Sequence, residues 1–287
     1  MLTNCKQNYY KLIFMKIKSV VAKKKFGQNF LKDETVLRKI VEAMPKTDNK
    51  IVEIGPGLGD LTKFLVDVKS VEAFEVDTDL CKLLQSIFKE EIATKRLHIN
   101  CGDVLNAWQS GLIDEPYDLV ANLPYYIATN IILKALADPM CKNILVMVQL
   151  EVAEKFCATH GEKVFGSLSV ITQSLGEAHI VVKVPPSAFE PQPKIDSAVF
   201  LIQKNADRND EDFESLLRVA FKQPRKTLMK NLSVVYEKDL LQEAYKELEL
   251  TLTVRPHELS THDYHQLYKL TNTRSLDGRR ESGSTSK

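Results

Sequence analysis

Hydrophobic residues fall into short aliphatic runs that alternate with segments whose apolar positions recur at helical spacing. The runs predict seven strands, at residues 51–55, 71–76, 97–101, 117–123, 144–149, 179–184 and 198–202. Segments with helical spacing, such as 60–68 and 78–90, separate the first four. Strands that alternate with helices are typical of βαβ units. The fold class we predict is therefore α/β: a Rossmann-like, seven-stranded, mostly parallel sheet.

The connection between the last two predicted strands differs from the others. Residues 185–193 contain four prolines and no helical pattern. A strand that follows a loop instead of a crossover helix returns in the opposite direction. We therefore expect the final strand to run antiparallel, at or near the sheet edge.

A polar stretch at 204–212 marks a change in organisation. Beyond it, apolar spacing predicts short helices at 213–221, 228–236, 240–248 and 262–270. We expect an N-terminal arm at 1–22, an α/β domain at 23–204, a helical domain at 205–274 and a disordered tail at 275–287. Either Met1 or Met15 can begin the native chain.

Composition excludes some classes of protein. No apolar run approaches the roughly 20 residues that cross a bilayer. The five cysteines are widely spaced, without a Cys-x-x-Cys pair, which argues against a disulfide framework and a zinc site and favours a reducing, cytoplasmic location. Residues 1–50 carry 12 Lys/Arg against 4 Asp/Glu, whereas residues 51–200 carry 12 against 20. This asymmetry fits a polyanionic partner or a solvated run of charge.

The segment Glu53-Ile54-Gly55-Pro56-Gly57-Leu58-Gly59 closes the first strand and opens a helix. Glycines in such a turn let the backbone approach a ligand. Asp60 stands where a dinucleotide-binding turn has its third glycine, so the pattern favours S-adenosylmethionine, which has no pyrophosphate, over a nicotinamide cofactor. We expect Gly55 and Gly57 to contact it. A hydride-transfer enzyme and a simple tight turn are the alternatives.

Two acids follow the next strands. Glu75 ends the second strand, where a carboxylate can accept both ribose hydroxyls. Asp103 follows the third strand and could accept from an adenine amine. Each could instead be a helix N-cap or a surface acid, but together they predict one nucleoside across the sheet edge.

The fourth strand ends in Asn122-Leu123-Pro124-Tyr125-Tyr126. An aromatic amine is a poor nucleophile because its lone pair is delocalised into the ring. The Asn122 side-chain oxygen and the Leu123 carbonyl can accept its N–H groups and favour a pyramidal nitrogen, while Pro124 fixes the loop and Tyr125 stacks on the base. This loop predicts methyl transfer to an exocyclic amine, with a plain turn as the alternative.

These residues, in this order, resemble the ribosomal RNA adenine N6-dimethyltransferases, and among them the small-subunit (16S) type. The resemblance runs from Lys23 to Leu270. It rests on four motifs: Phe26-Gly27-Gln28-Asn29-Phe30-Leu31, the glycine turn, Asn122-Leu123-Pro124-Tyr125, and the proline-rich stretch 184–194.

The resemblance implies roles for individual residues. Gln28, Asn29 and Leu31 would close over the cofactor, and Asn122 would line its site with the glycines and acids. Tyr125 and Phe189 would sandwich the target adenine. The family usually has Asn where this chain has Tyr126, from which we expect altered packing more than lost activity.

The resemblance also implies the substrate: two adjacent adenines in the 3′-terminal hairpin of small-subunit rRNA, dimethylated at N6 during subunit biogenesis. The partner would be rRNA or the 30S precursor, and the enzyme a monomer. Large-subunit methyltransferases of the macrolide-resistance type share the first three motifs and are an alternative, as is a non-catalytic assembly factor. The fuller proline loop and the stretch 253–260 favour the small-subunit type.

Four basic residues are candidates for RNA binding: Lys222, Arg225, Lys226 and Lys230. If Pro224 opens a helix, they form a basic stripe, to which Lys23, Lys24 and Lys25 could add. A solvated surface is the alternative.

Overall fold

The computed structural model describes residues 28–109, 111–206 and 210–281. The predicted arm at 1–22, the lysines at 23–25, Phe26, Gly27 and the tail from 282 lie outside them. The chain divides into two compact units. One holds the described residues up to Ala153 together with His179–Lys204, and the other holds Glu154–Ala178 and the described residues from 205 onward.

A seven-stranded sheet forms the centre of the first unit. Its strands, in spatial order, are β4 (Leu97–Cys101), β3 (Val71–Glu75), β2 (Lys50–Ile54), β5 (Tyr117–Asn122), β6 (Cys141–Gln149), β9 (Ser197–Lys204) and β7 (Gly176–Val184). The pairs β3–β4, β2–β3, β2–β5 and β5–β6 are parallel. The predicted fold class is confirmed.

The last strand, β9, pairs antiparallel with β6, from Asn143 opposite Gln203 to Gln149 opposite Ser197. It lies between β6 and β7, one strand from the edge. The predicted direction and position of this strand are confirmed.

The register of the parallel strands decides where the site lies. Ile54 is opposite Phe74, and Glu75 is opposite Cys101. Asn122 ends β5 opposite Met147. The carboxyl ends of β2, β3, β4 and β5 therefore meet at one edge of the sheet, where ligands of open α/β sheets bind.

Most of the helices in the first unit and at its boundary bury apolar side chains. The helices are α1 (Glu34–Glu42), α2 (Thr62–Val68), α3 (Thr78–Ile87), α4 (Lys89–Ala93), α5 (Val104–Ala107), α6 (Ala128–Ala137) and, at the boundary, α7 (Leu150–Cys157). Asp33 caps α1, Asp77 caps α3 and Asp103 caps α5 through side-chain acceptors. The helix predicted at 78–90 is divided at Phe88, whose backbone leaves helical geometry.

Two strands of two residues were not predicted. β1 (Phe30–Leu31) and β8 (Phe189–Glu190) pair antiparallel, with Leu31 opposite Phe189. Strands this short show no periodicity, and their partners are distant in sequence.

The second unit contains α8 (Ser167–Leu175), α9 (Glu211–Ala220), α10 (Leu228–Leu232), α11 (Lys238–Glu247) and α12 (Thr261–Glu281). The predicted domain boundary at 204 differs from this division, because 154–178 belongs with the C-terminal helices. The carbonyl of Leu175 accepts from the backbone N–H groups of Asn205 and Ala206, and Phe165 packs edge-on against Phe221. α12 continues to Glu281 and so overlaps the first residues of the tail predicted at 275–287, whose remainder lies outside the described residues.

Cys81 of α3 and Cys101 of β4 form a disulfide, with their Cα atoms 6.0 Å apart. The cysteine spacing argued against a disulfide framework and did not predict the pairing of these two residues. The packing of α3 beside β4 brings them together, and the sequence carries no signal of it. Cys141 is buried and Cys157 half-buried, both as free thiols.

Within the described ranges, no helix combines the length and apolar character needed to span a membrane.

Candidate active site

A cleft of about 1110 Å³, including its open mouth, lies at the carboxyl edge of the sheet. It lies within the first unit, between the ends of β2–β5 and the segment 28–31. Every residue predicted to bind the cofactor lines it: Gln28, Asn29, Leu31, Gly55, Gly57, Glu75, Asp103 and Asn122. Leu123, Pro124 and Tyr125 line it as well.

The glycine turn forms the floor of the cleft. Gly55 has φ +70° and Gly57 has φ +62°, conformations that side chains with a Cβ rarely adopt. A Cβ at Gly57 would lie 3.1 Å from the Phe30 ring, and one at Gly55 would lie 3.6 Å from Pro124. Both glycines thus keep the turn close to the segment and the loop that cover it.

Glu75 projects from the end of β3 and is 4% exposed. Its carboxylate accepts the N–H of Gly57 at 3.1 Å and that of Asp77 at 2.8 Å. Burial raises the pKa of Glu75, and these N–H donors oppose the rise by favouring the charged form. The turn and the acid are therefore one hydrogen-bonded unit.

Glu53 lines the same cleft but was not among the predicted site residues. It is 2% exposed, and the Thr62 hydroxyl donates to it at 2.7 Å. Burial raises the pKa of Glu53 to about 8, with smaller contributions from the charges of Glu75 and Asp60. The available signal was an acid inside the apolar strand Lys50–Ile54, where a charge would be unfavourable.

Asp103 is exposed, and one of its oxygens accepts the N–H of Leu105 at 2.9 Å. It is therefore a helix N-cap as well as a residue of the cleft wall, and its hydrogen bond to the adenine amine of the cofactor stays a prediction. The neighbouring Asp77 is a second cap of this kind, and Gln28 Nε2 donates to it at 3.3 Å.

The end of β5 holds the side chains with amine-binding chemistry. Asn122 Nδ2 donates to the carbonyl of Asn29 at 3.2 Å. Because the amide is planar, this bond turns Oδ1 away from Asn29 and leaves an acceptor for a ligand. Leu123 is anchored by its N–H, which donates to the Met147 carbonyl at 3.1 Å.

Tyr125 is held in place beyond this point. Its hydroxyl forms a 2.7 Å hydrogen bond with Ser197 Oγ, and burial raises the pKa of Tyr125. The Pro124 carbonyl accepts from Ile127, which makes the corner a tight turn. An aromatic face and a side-chain acceptor are thus fixed at the rim before any ligand arrives.

The segment 28–31 covers the cleft, and three contacts fix it. β1 pairs with β8, the Lys32 N–H donates to the Ala188 carbonyl at 2.8 Å, and Lys32 Nζ forms a 2.6 Å ion pair with Asp60. Asn29 and Gln28 add the bonds to Asn122 and Asp77.

Phe189 is not brought to the cleft. It is 3% exposed and belongs to the hydrophobic core together with Leu31, Ala188 and Val184. The predicted sandwich of a base between Tyr125 and Phe189 is therefore not the arrangement in this structure. Phe189 is opposite Leu31 in the short sheet and supports the covering segment.

The basic residues of the second unit are exposed, but they do not form a stripe along one helix. Residues 221–226 form turns, and α10 begins only at Leu228, capped by the Thr227 hydroxyl. The condition for a basic stripe, that Pro224 opens a helix, is not met, because the N–H of Lys226 bonds to the Gln223 carbonyl in a turn. Lys222, Arg225 and Lys226 lie on this turn, and Lys230 lies on α10.

Known proteins resemble this chain along most of its length. The family described as "Ribosomal RNA adenine dimethylase" matches residues 20–273. The ribosomal RNA small subunit methyltransferase A of Sulfurimonas denitrificans is 78% identical over 265 residues, which is 92% of this chain and 98% of that protein. The enzyme of the same name from Aliarcobacter butzleri is 50% identical, over 88% and 97% of the two chains.

Solved structures show the same fold. A dimethyladenosine transferase from Plasmodium falciparum superposes with a TM-score of 0.72 at 23% identity, covering 86% of this chain and 98% of that one. A 23S rRNA methyltransferase superposes with a TM-score of 0.66 at 25% identity, covering 85% and 100%.

Proposed function

The chain belongs to the ribosomal RNA adenine dimethylase family, and from this premise we propose that it dimethylates N6 of two adjacent adenines in the 3′-terminal hairpin of 16S rRNA. It acts in the cytoplasm as a monomer on the 30S precursor and contributes to small-subunit biogenesis. The observation that carries the proposal is that one cleft brings together the glycine turn, Glu75, Asp103 and the loop that begins at Asn122.

A methyltransferase of this family draws on S-adenosylmethionine, whose sulfonium supplies an electrophilic methyl group. The residues that line the cleft fit this cofactor. Glu75 is a buried carboxylate placed for vicinal hydroxyls, Asp103 is an exposed acceptor for an amine, and the two positive-φ glycines leave the turn bare of side chains. Gln28, Asn29 and Leu31, which line the cleft from the covering segment, would hold it there.

Asn122 and Leu123 hold the adenine amine. Asn122 Oδ1 and the Leu123 carbonyl accept its two N–H groups, and the nitrogen lone pair then points into the cleft. When bound, S-adenosylmethionine would supply an electrophilic methyl carbon to this lone pair, its carbon–sulfur bond would be the bond that breaks, and one N–H proton of the amine would pass to solvent. Since the attacking amine is neutral, the rate gain comes from positioning and fixed dipoles and needs no strong base.

Tyr125 holds the base through its ring. Its hydroxyl is bonded to Ser197, which fixes the ring plane before the base arrives. A fixed aromatic surface stacks on a splayed base at little entropic cost.

Lys222, Arg225, Lys226 and Lys230 bind the rRNA backbone. Their exposure on a turn and a short helix suits phosphates, which attract point charges and carry no sequence information.

Radiolabelled methyl transfer to unmethylated small subunits tests this proposal with wild type, Asn122→Ala and Val234→Ala. Removing the Asn122 acceptor should slow transfer by about a hundredfold to a thousandfold. Val234 is 74% exposed outside the cleft and serves as the control. Primer extension should place the label on adjacent adenines near the 3′ end.

Equal transfer by wild type and Asn122→Ala would remove the assigned role of Asn122. Label on large-subunit RNA in place of small-subunit RNA would point to the macrolide-resistance type. No transfer by the wild type, with binding to small subunits retained, would point to an assembly factor.

A further inference from the structure

Tyr126 lies at the mouth of the cleft, immediately after the loop that holds the base. Its side chain is 59% exposed, although it is a large aromatic residue that lines the cleft. Tyr125 beside it is anchored through Ser197, whereas the Tyr126 hydroxyl has no hydrogen-bond partner in the described part of the chain. The Tyr126 side chain therefore contributes little to the stability of the fold.

The residues that line the cleft together with Tyr126 indicate which part of a ligand its ring would contact. Tyr126 shares the lining with the segment 102–105, which contains Asp103. Tyr126, Asp103 and Glu75 line the same cleft, and partial burial together with the charges of the two acids raises the pKa of Tyr126. These are the acids that the proposed function assigns to the adenosine part of the cofactor.

A second apolar side chain lies on that side. Val76 follows Glu75 in sequence, is 40% exposed and lines the cleft. An exposed valine and an exposed tyrosine beside two hydrogen-bond acceptors suit a flat, apolar ring with polar edges, such as a purine.

The charge of this region argues against an RNA strand as the occupant. Asp103 and Glu75 would repel phosphates, while they accept hydrogen bonds from the amine and hydroxyl groups of an adenosine. RNA-binding surfaces instead concentrate Lys and Arg.

We propose that Tyr126 is a cofactor-binding residue whose ring stacks on the adenine of S-adenosylmethionine at the mouth of the cleft, with Val76 as a further apolar contact. The inference rests on the proposed cofactor. Tyr126 thereby takes part in holding the cofactor at a position where the family usually has Asn.

Calorimetric titration of wild type, Tyr126→Phe, Tyr126→Ala and Tyr126→Asn tests the proposal. The probes are S-adenosylhomocysteine and 5′-methylthioadenosine, which share the adenosine but differ in the amino-acid part. Loss of the ring should weaken binding of both probes by about tenfold in the Ala and Asn variants, the usual effect of losing one stacking contact. Tyr126→Phe keeps the ring and should bind within about twofold of wild type.

Val234→Ala should leave both affinities unchanged, and thermal unfolding should show all variants folded. If wild type binds neither probe, the proposed cofactor itself is wrong. If wild type binds and Tyr126→Ala binds equally well, the stacking role is wrong. The role is also wrong if Tyr126→Phe loses as much affinity as Tyr126→Ala.

Discussion

Buried acids lie at both ends of the strands of the central sheet, at the amino ends and at the carboxyl ends. The surroundings of these two groups of acids differ. Near the amino ends of the strands, Asp138 is 2% exposed. It accepts four hydrogen bonds, from Trp108 Nε1 at 3.0 Å, the Tyr117 hydroxyl at 2.8 Å and the N–H groups of Leu112 and Met140 at 2.9 Å. This carboxylate is surrounded by fixed donors.

Asp118 has a similar environment at the start of β5. It is 2% exposed, accepts from Asn49, Asn143 and Thr47, and lies 3.9 Å from Lys69 Nζ. Neither Asp138 nor Asp118 lines the cleft.

At the carboxyl edge, Glu53 has one side-chain donor, and Glu75 has two backbone donors from its own edge of the sheet. Both face the cleft, and burial raises the pKa of each. The two groups of acids therefore differ in the number of hydrogen-bond donors that the fold places around each carboxyl group. A saturated acid stabilises the fold, whereas an acid with fewer donors at a cleft retains hydrogen-bonding capacity for a ligand.

The largest effect on the free energy of unfolding should come from substituting Asp138, whose carboxylate is fully hydrogen-bonded at the amino ends of the strands. Asp138→Ala leaves the Trp108 and Tyr117 donors buried without their acceptor, which should lower the free energy of unfolding by about 3–5 kcal/mol. Chemical denaturation measures this value. Asp114→Ala, an exposed acid in the nearby loop, should change it little. A loss of cofactor affinity without a loss of stability in Asp138→Ala would contradict the distinction between the two edges.

Glu75→Gln should mainly lower cofactor affinity and should have a smaller effect on stability. The amide can no longer accept two ribose hydroxyls as a charged group, so affinity for S-adenosylhomocysteine should fall by about tenfold to a hundredfold. The free energy of unfolding should fall by no more than about 1–2 kcal/mol, because removing a buried charge offsets part of the loss when the amide keeps one oxygen for the N–H groups of Gly57 and Asp77. Calorimetry and denaturation together check both values. Unchanged affinity would show that Glu75 serves only the turn.

Below pH 4.5, where Glu53 is protonated in the folded and the unfolded state, Glu53→Gln should have the smallest effect of the three substitutions, and the effect grows into a pH signature above that value. Its pKa in the folded chain is about 8, above the ordinary 4.5, so the folded state holds the extra proton between these values. Stability from this group is therefore present at low pH and is lost as pH rises from 4.5 to 8, by up to about 1.4 kcal/mol per pH unit. Glu53→Gln should remove this slope. Parallel stability–pH curves for the two proteins would refute the assignment.

Local patterns in the sequence predicted much of the fold. The seven long strands and about half of the helices follow from periodicity within single segments, and the antiparallel direction of β9 follows from the proline-rich connection before it. The strand-end residues Gly55, Glu75, Asp103 and Asn122 could be grouped from sequence, because parallel strands bring their carboxyl ends to one edge.

Other features depend on contacts between distant segments. Residues 30–31 and 189–190 pair as two-residue strands, which buries Phe189 away from the cleft where the sequence reading had placed it. Cys81 meets Cys101 only because α3 packs beside β4, and 154–178 joins the C-terminal helices through contacts such as Phe165 with Phe221.

The sequence by itself determined which segments form strands and helices, and which functional groups stand at their ends. Tertiary structure alone decided which groups are buried, how many donors each acid receives and where Tyr126 is exposed. The reason is physical: periodicity reports the environment averaged over one element, whereas burial and hydrogen-bond satisfaction depend on neighbours that are far away along the chain.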